Sequence, residues 1–164
     1  MDKIIIKNTR NADSRTMEDY ATMEDVKAAT MEHIQDVQKG MTFFANKLIE
    51  AGKNHDWTKI DNFEKEYGPL VMSKVVDEEF KSNPWWGRHV FTERHHVNIN
   101  FTPDVNLIDI MEHIVDDVMS GRGRSGHLTS SYQDIDPKLL YVAYWNTIRM
   151  LNDVVQVADG PIKK

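Results

Sequence analysis

The chain has 164 residues, 40% hydrophobic and 28% charged, which suits one globular domain with a sizeable core and is too short for two ordinary ones. Twenty Lys and Arg stand against 26 Asp and Glu, a formal net charge of -6; without a basic face, duplex nucleic acid is excluded as a partner. The absence of cysteine removes disulfides, iron–sulfur clusters and thiol catalysis.

Residues 1–21 read as an irregular polar arm, with Ile4, Ile5 and Ile6 as a short edge strand. They hold no signal-peptide core, and no apolar run approaches the roughly 18 residues of a membrane span. The expectation is a soluble, cytoplasmic protein without a membrane partner.

Residues 22–160 read as one helical domain. Thr22 and Asp25 resemble a capping pair. Val26, Thr30, Ile34, Val37, Met41, Phe44 and Leu48 then form an apolar stripe, and the helix ends at Gly52. A second helix carries Trp57, Ile60, Phe63 and Tyr67 and stops at Gly68-Pro69. A third covers Leu70 to Phe80. Asn83-Pro84 opens a fourth, with Trp85, Trp86, His89, Glu93, His95 and His96. Pro103 opens a fifth, which ends at Gly121; the segment GRGRSGHLTSSYQD reads as loop. Asp136-Pro137 opens a last helix that ends near Gly160. The expected fold class is all-α: a single-domain bundle of about six helices.

His55-Asp56 opens a short helix after the long helix that bears His33, and the fifth helix carries Asp109, Glu112, His113, Asp116 and Asp117. Three antiparallel helices can bring His33, His55-Asp56 and an acid of the later helix to one point. Two imidazoles and two carboxylates suit a divalent ion (Mn, Fe, Co, Ni, Zn or Mg) with open positions for water. His33 sits at the edge of its apolar stripe. Among the acids, Asp116 follows Glu112 by one turn and abuts Val115, so it can face inward; Asp109, Glu112 and Asp117 remain alternatives.

This pattern resembles the HD superfamily of metal-dependent phosphohydrolases: a His on one helix, an adjacent His-Asp pair and a later helical Asp. The resemblance implies a metal set of His33, His55, Asp56 and Asp116. HDWTKI also looks like the His-Asp-x-x-Lys form of several branches, where the lysine, here Lys59, lies near the substrate phosphate. Together with NTRNADSRT, the His89…HH segment and LIDIMEHIVDD, it is similar to a group of short HD-type proteins from phages and bacteria, over most of residues 8–120. In a phage setting the protein would work in the host cytoplasm. Lys59 stands near the place where the mononuclear nucleotidase branch carries a Glu.

The resulting expectation is hydrolysis of a small phosphate ester, a nucleotide above all, by metal-activated water. Asp56 and Lys59 would be catalytic, with Lys59 neutralising phosphoryl charge beside Arg94, Arg122 or Arg124. His89 or His96 would act as general acid. His96 is preferred over His95 because it lies seven residues after His89, on the same helical face. His89, His95, His96 and Glu112 form the set for a second metal or substrate contact, and Glu112 and Glu93 are candidates to orient imidazoles. Trp85 and Trp86 offer a stacking surface for a base. The competing reading is a helical binding module held together by metal; a di-iron oxygenase ranks last. Homo-oligomerisation is compatible with each.

Overall fold

The computed structural model describes residues 3–7, 21–99, 102–126 and 135–158. In chain order these form β1 (Ile4–Lys7), α1 (Met23–Asn54), α2 (Trp57–Ile60), α3 (Tyr67–Met72), α4 (Asp77–Lys81), α5 (Pro84–Thr92), α6 (Leu107–Ser125), α7 (Pro137–Val154) and β2 (Val155–Ala158). The fold class is all-α. Among the described residues no helix is long and apolar enough to cross a membrane.

The chain divides into two compact units, and the division falls inside α1 and α7. The first unit comprises Met1–Asn46 and Ile148–Lys164. Its helix starts where the capping pair places it. Thr22 N and Oγ1 donate to Asp25 Oδ2 at 2.9 and 2.7 Å, and Asp25 N donates back to Thr22 Oγ1 at 3.2 Å. The stripe behind this cap is less buried than its period suggests: Ala29 is buried, while Ile34, Val37 and Met41 are exposed. The unit also holds a strand that the sequence reading missed. The last helix was expected to continue to near Gly160, but it ends at Val154, and Val155 to Ala158 pair in parallel with β1, Ile4 opposite Val155. Alternating β-branched Val155 and Val157 fit a pleated strand better than a helix end.

The second unit is Lys47–Thr147. Its apolar core is Val97, Val105, Ile110, Leu139 and Ala143, with Leu107, Ile135 and Val142 packed against it. Four expected helices change their bounds here. The second helix stops at Ile60, because Asp61 is extended and Asn62 takes a left-handed φ of 59°. Gly68-Pro69 therefore lies within the first turn of α3, where a missing N–H costs little. Glycine is required there, since a Cβ would sit 2.9 Å from the Phe63 carbonyl oxygen. The expected third helix splits into α3 and α4 around Lys74, at φ 57°. The fourth ends at Thr92, because Glu93 turns extended. The fifth starts at Leu107 rather than after Pro103, capped by Asn106, and runs through Gly121 to Ser125 before the left-handed Gly126. Asn83 caps α5 by accepting from Trp85 N at 2.8 Å, as Asn83-Pro84 suggests.

Candidate metal centre

The site begins with a backbone bend. The His55-Asp56 pair follows α1 directly, and Asp56 adopts a left-handed φ of 58°. That conformation is uncommon for a residue other than glycine, though Asp tolerates it better than most. It ends the long helix and starts α2, so that consecutive side chains reach different neighbours.

His55 is held by α6: its Nδ1 lies 3.0 Å from Glu112 Oε1. This leaves Nε2 facing Asp56 Oδ2 at 3.4 Å and Asp116 Oδ1 at 3.6 Å. His89 on α5 is oriented in the same way through another group. Buried Thr58 donates its hydroxyl to Glu93 Oε1 at 2.6 Å, and its backbone N–H to the same oxygen at 2.9 Å. The hydroxyl then accepts from His89 Nδ1 at 2.6 Å. His89 Nε2 is thereby the bare nitrogen, and it lies 3.6 Å from Asp56 Oδ1.

His95 sits between these two groups and is fully buried. Its Nε2 is 3.6 Å from Asp56 Oδ1 and 3.8 Å from Asp116 Oδ2, and its Nδ1 is 3.3 Å from Glu112 Oε1. His96 Nε2 meets His89 Nε2 at 2.8 Å. Two sets of ligand atoms result, each within 4.8 Å of one another: Asp56, His89, His95 and His96, and His55, His95 and Asp116. Asp56 Oδ1 and both His95 ring nitrogens are buried without a hydrogen-bond partner. Orphaned polar atoms such as Asp56 Oδ1 and His95 Nε2, which face each other, are costly unless something satisfies them.

Electrostatics suit ligation. Burial, with the neighbouring His96 imidazole, pushes His89 down to about 3; burial and His95 push His96 down to about 4. Both rings are therefore neutral at pH 7, the form a metal requires. Burial works against the charge on Asp56 and Glu112. Lys59, with His55 and His95, outweighs it at Asp56, and His95 and His55 outweigh it at Glu112, so both carboxyls lie below their usual range. His95 is also disfavoured by burial, but Glu112, Asp56 and Asp116 together raise it.

The structure gathers His55, Asp56, His89, His95, His96, Glu112 and Asp116, with Lys59 bonded to Asp56 Oδ2. His33 is exposed on α1 in the first unit and belongs to neither set. The reason given for His96 fails, because α5 ends at Thr92; the chain turn through Glu93, not helical period, returns His96 to His89. Arg94 is engaged elsewhere. It forks onto Asp109 at 2.8 and 2.7 Å and reaches Asp104 at 3.0 Å, so it anchors the histidine turn to α6. Asp109 is thus taken by Arg94 and by its own helix cap, and Asp117 lies 3.6 Å from His113 Nε2. Arg122 is exposed on α6; the side chain of Arg124 and the residues from His127 to Asp134 lie outside the described ones.

Trp85 is buried, stacked on His89 with ring centres 4.9 Å apart and against Tyr67 at 4.7 Å, so it offers no free face to a base. Trp86 packs against Phe80, His89 and His96. Thr58 is the contributor that sequence reasoning missed. The signal was present: Thr58 follows the His-Asp pair by two positions, but a lone threonine carries no distinctive chemistry. No protein-family model, curated protein or solved structure matches this chain.

Proposed function

We propose that the chain is a metal-dependent phosphohydrolase of HD type acting on a small phosphate ester. The observation that carries this reading is the meeting of Asp56 Oδ1 with His89 Nε2 and His95 Nε2, each 3.6 Å away, with Asp56 Oδ1 and His95 Nε2 buried and unpartnered. Three nitrogens and a carboxylate form a donor set suited to Zn, Mn, Fe, Co or Ni.

The ligand set differs from the sequence expectation: Asp56, His89, His95 and His96 would hold one ion, and His55 and Asp116 would hold a second. Asp56 would be able to serve both, since Oδ1 faces His89 and His95 while Oδ2 faces His55. His95 has one nitrogen directed at both groups and serves one ion at a time. A divalent ion bound here supplies an acidified water and an electrophile for a phosphoryl oxygen. Lys59 stands beside Asp56 and neutralises charge on the phosphoryl group. Glu112 fixes the ring of His55; Thr58 and Glu93 fix that of His89. His89 and His96, neutral at pH 7, act as ligands rather than proton donors.

The test is a screen of phosphomonoesters, nucleotides and phosphoanhydrides with Mn, Co, Fe, Ni, Mg and Zn. Phosphate release with at least one metal, lost in His95→Ala, is expected. If wild type releases nothing with any metal, the enzyme reading is lost.

One observation favours a second reading. His89 and His95 are entirely buried, and a closed four-ligand set is typical of structural ions. A metal-stabilised helical module would unfold on His89→Ala, and its wild type would hydrolyse no phosphate ester.

A further inference from the structure

A cavity of about 420 Å³ opens against the less buried side of the histidine cluster. Leu48, Ala51, Met111, Val115 and Met119 line most of it. His55, Glu112 and Asp116, the outer part of the candidate centre, form its remaining wall with Gly52. The cavity thus has one polar end, at the proposed metal site, and an aliphatic body between the end of α1 and α6. Its volume lies in the range of small-molecule pockets.

We infer that this cavity takes an alkyl group esterified to the phosphate, so that the substrate is an amphiphilic alkyl phosphate monoester. The inference rests on the metal-centre reading, and it names the substrate class of that same site. Two features of the wall decide between an alkyl chain and a nucleobase. Among the described residues the only ring in the wall is the His55 imidazole, at the metal end, so a base finds no stacking partner in the aliphatic body. Among the described residues its polar side chains are the three at the metal end, so the ring nitrogens and carbonyls of a base in the aliphatic body would be buried without partners. An alkyl chain needs none. The two acids at the polar end repel a phosphate until cations neutralise them, so headgroup and tail are recognised together only in the metal-loaded protein. In the reaction, water oxygen attacks phosphorus and the bond from phosphorus to the alkoxy oxygen breaks. That oxygen leaves with a proton as the alcohol, and inorganic phosphate is released.

The test is calorimetric binding to the Mn-loaded protein, with metal uptake measured first. The probes are methyl, butyl, hexyl and octyl phosphate, with adenosine monophosphate as comparison, each used as its phosphonate analogue, which metal-activated water does not cleave. Affinity should rise roughly three- to fourfold per methylene until the cavity is full, and hexyl phosphate should bind well above adenosine monophosphate. Gly52→Leu supplies the control. A Cβ at Gly52 meets nothing within 4 Å, so a leucine projects into open space at the cavity wall, and helix propensity improves. This variant should fold and take up Mn as wild type does, yet lose the dependence on chain length. Affinity that does not change with chain length, with Mn bound normally, overturns the inference and leaves the metal centre standing. Failure to take up any metal overturns both. A wild-type dimer that Met119→Glu dissociates, together with no binding of hexyl phosphate, means that a second copy covers this face, and the inference is then wrong.

Discussion

The hydroxyl of Thr58 performs for His89 the task that a carboxylate performs for many metal-bound imidazoles: it fixes which ring nitrogen keeps its proton. Thr58→Val removes that hydrogen bond and leaves Glu93 one donor short in a buried place. Loss of an orienting partner typically costs about 10–100-fold in metal affinity. Isothermal titration with Zn or Mn should show a drop of that size; unchanged affinity would mean that the tautomer is set elsewhere. Lys59 plays a different part. It neutralises Asp56 in the metal-free chain, and Lys59→Met should leave metal uptake in place. Phosphate release should fall on the order of 100-fold, as for other lost charge-stabilising donors. Equal loss of metal and activity would assign Lys59 to the ligand architecture instead.

At the scale of elements, the histidine turn between α5 and α6 is held by Arg94, whose fork grips Asp109 while Asp109 caps α6. Asn106 completes that cap by accepting from Ile108 N at 2.8 Å. Asn106→Ala should therefore destabilise the protein by about 1 kcal/mol, read by urea denaturation. Asp109→Ala should cost more, because it also strands the Arg94 guanidinium. If the two variants prove equally stable, the Arg94 fork contributes nothing. These elements also show what the sequence discloses. Thr22 with Asp25, and Asn83-Pro84, mark helix starts because capping is a local interaction. Pro103 gives the same signal but misleads, since Asn106, three residues later, makes the cap. The His-Asp pair and Asp116 are legible because residue type and helical spacing reveal them. The junction of His89, His95 and His96 depends on an extended Glu93, which no period announces.

For the molecule as a whole, the buried imidazoles set a pH dependence in the metal-free state. Unfolded, histidine titrates near ~6.5. Folded, His89 is held at about 3 and His96 at about 4 by burial and then by a neighbouring ring. As pH falls below the unfolded value, the unfolded chain takes up protons that the folded chain refuses, so stability declines with acid. His95, raised by its acidic neighbours once burial is outweighed, works in the opposite direction; its contribution is complete in acid and fades as pH climbs. Two groups oppose one, and Asp56 and Glu112, held low, add to the loss at the acid end. Melting temperature should therefore fall from pH 7 to pH 4. A flat or rising profile would contradict this account, and a His89→Gln, His96→Gln variant should flatten it. Saturating metal should stabilise the wild type by about 3 kcal/mol at a hundredfold excess over its dissociation constant.

The pairing of β1 with β2 has a consequence during synthesis. Lys3 and Asp153, bonded at 2.9 Å, are 150 positions apart, and the ladder beside them joins the earliest and latest described segments. At ribosomal speed the first strand waits on the order of ten seconds for its mate. A nascent chain stalled before Val155 exposes an open edge of isoleucines to whatever else is being made nearby.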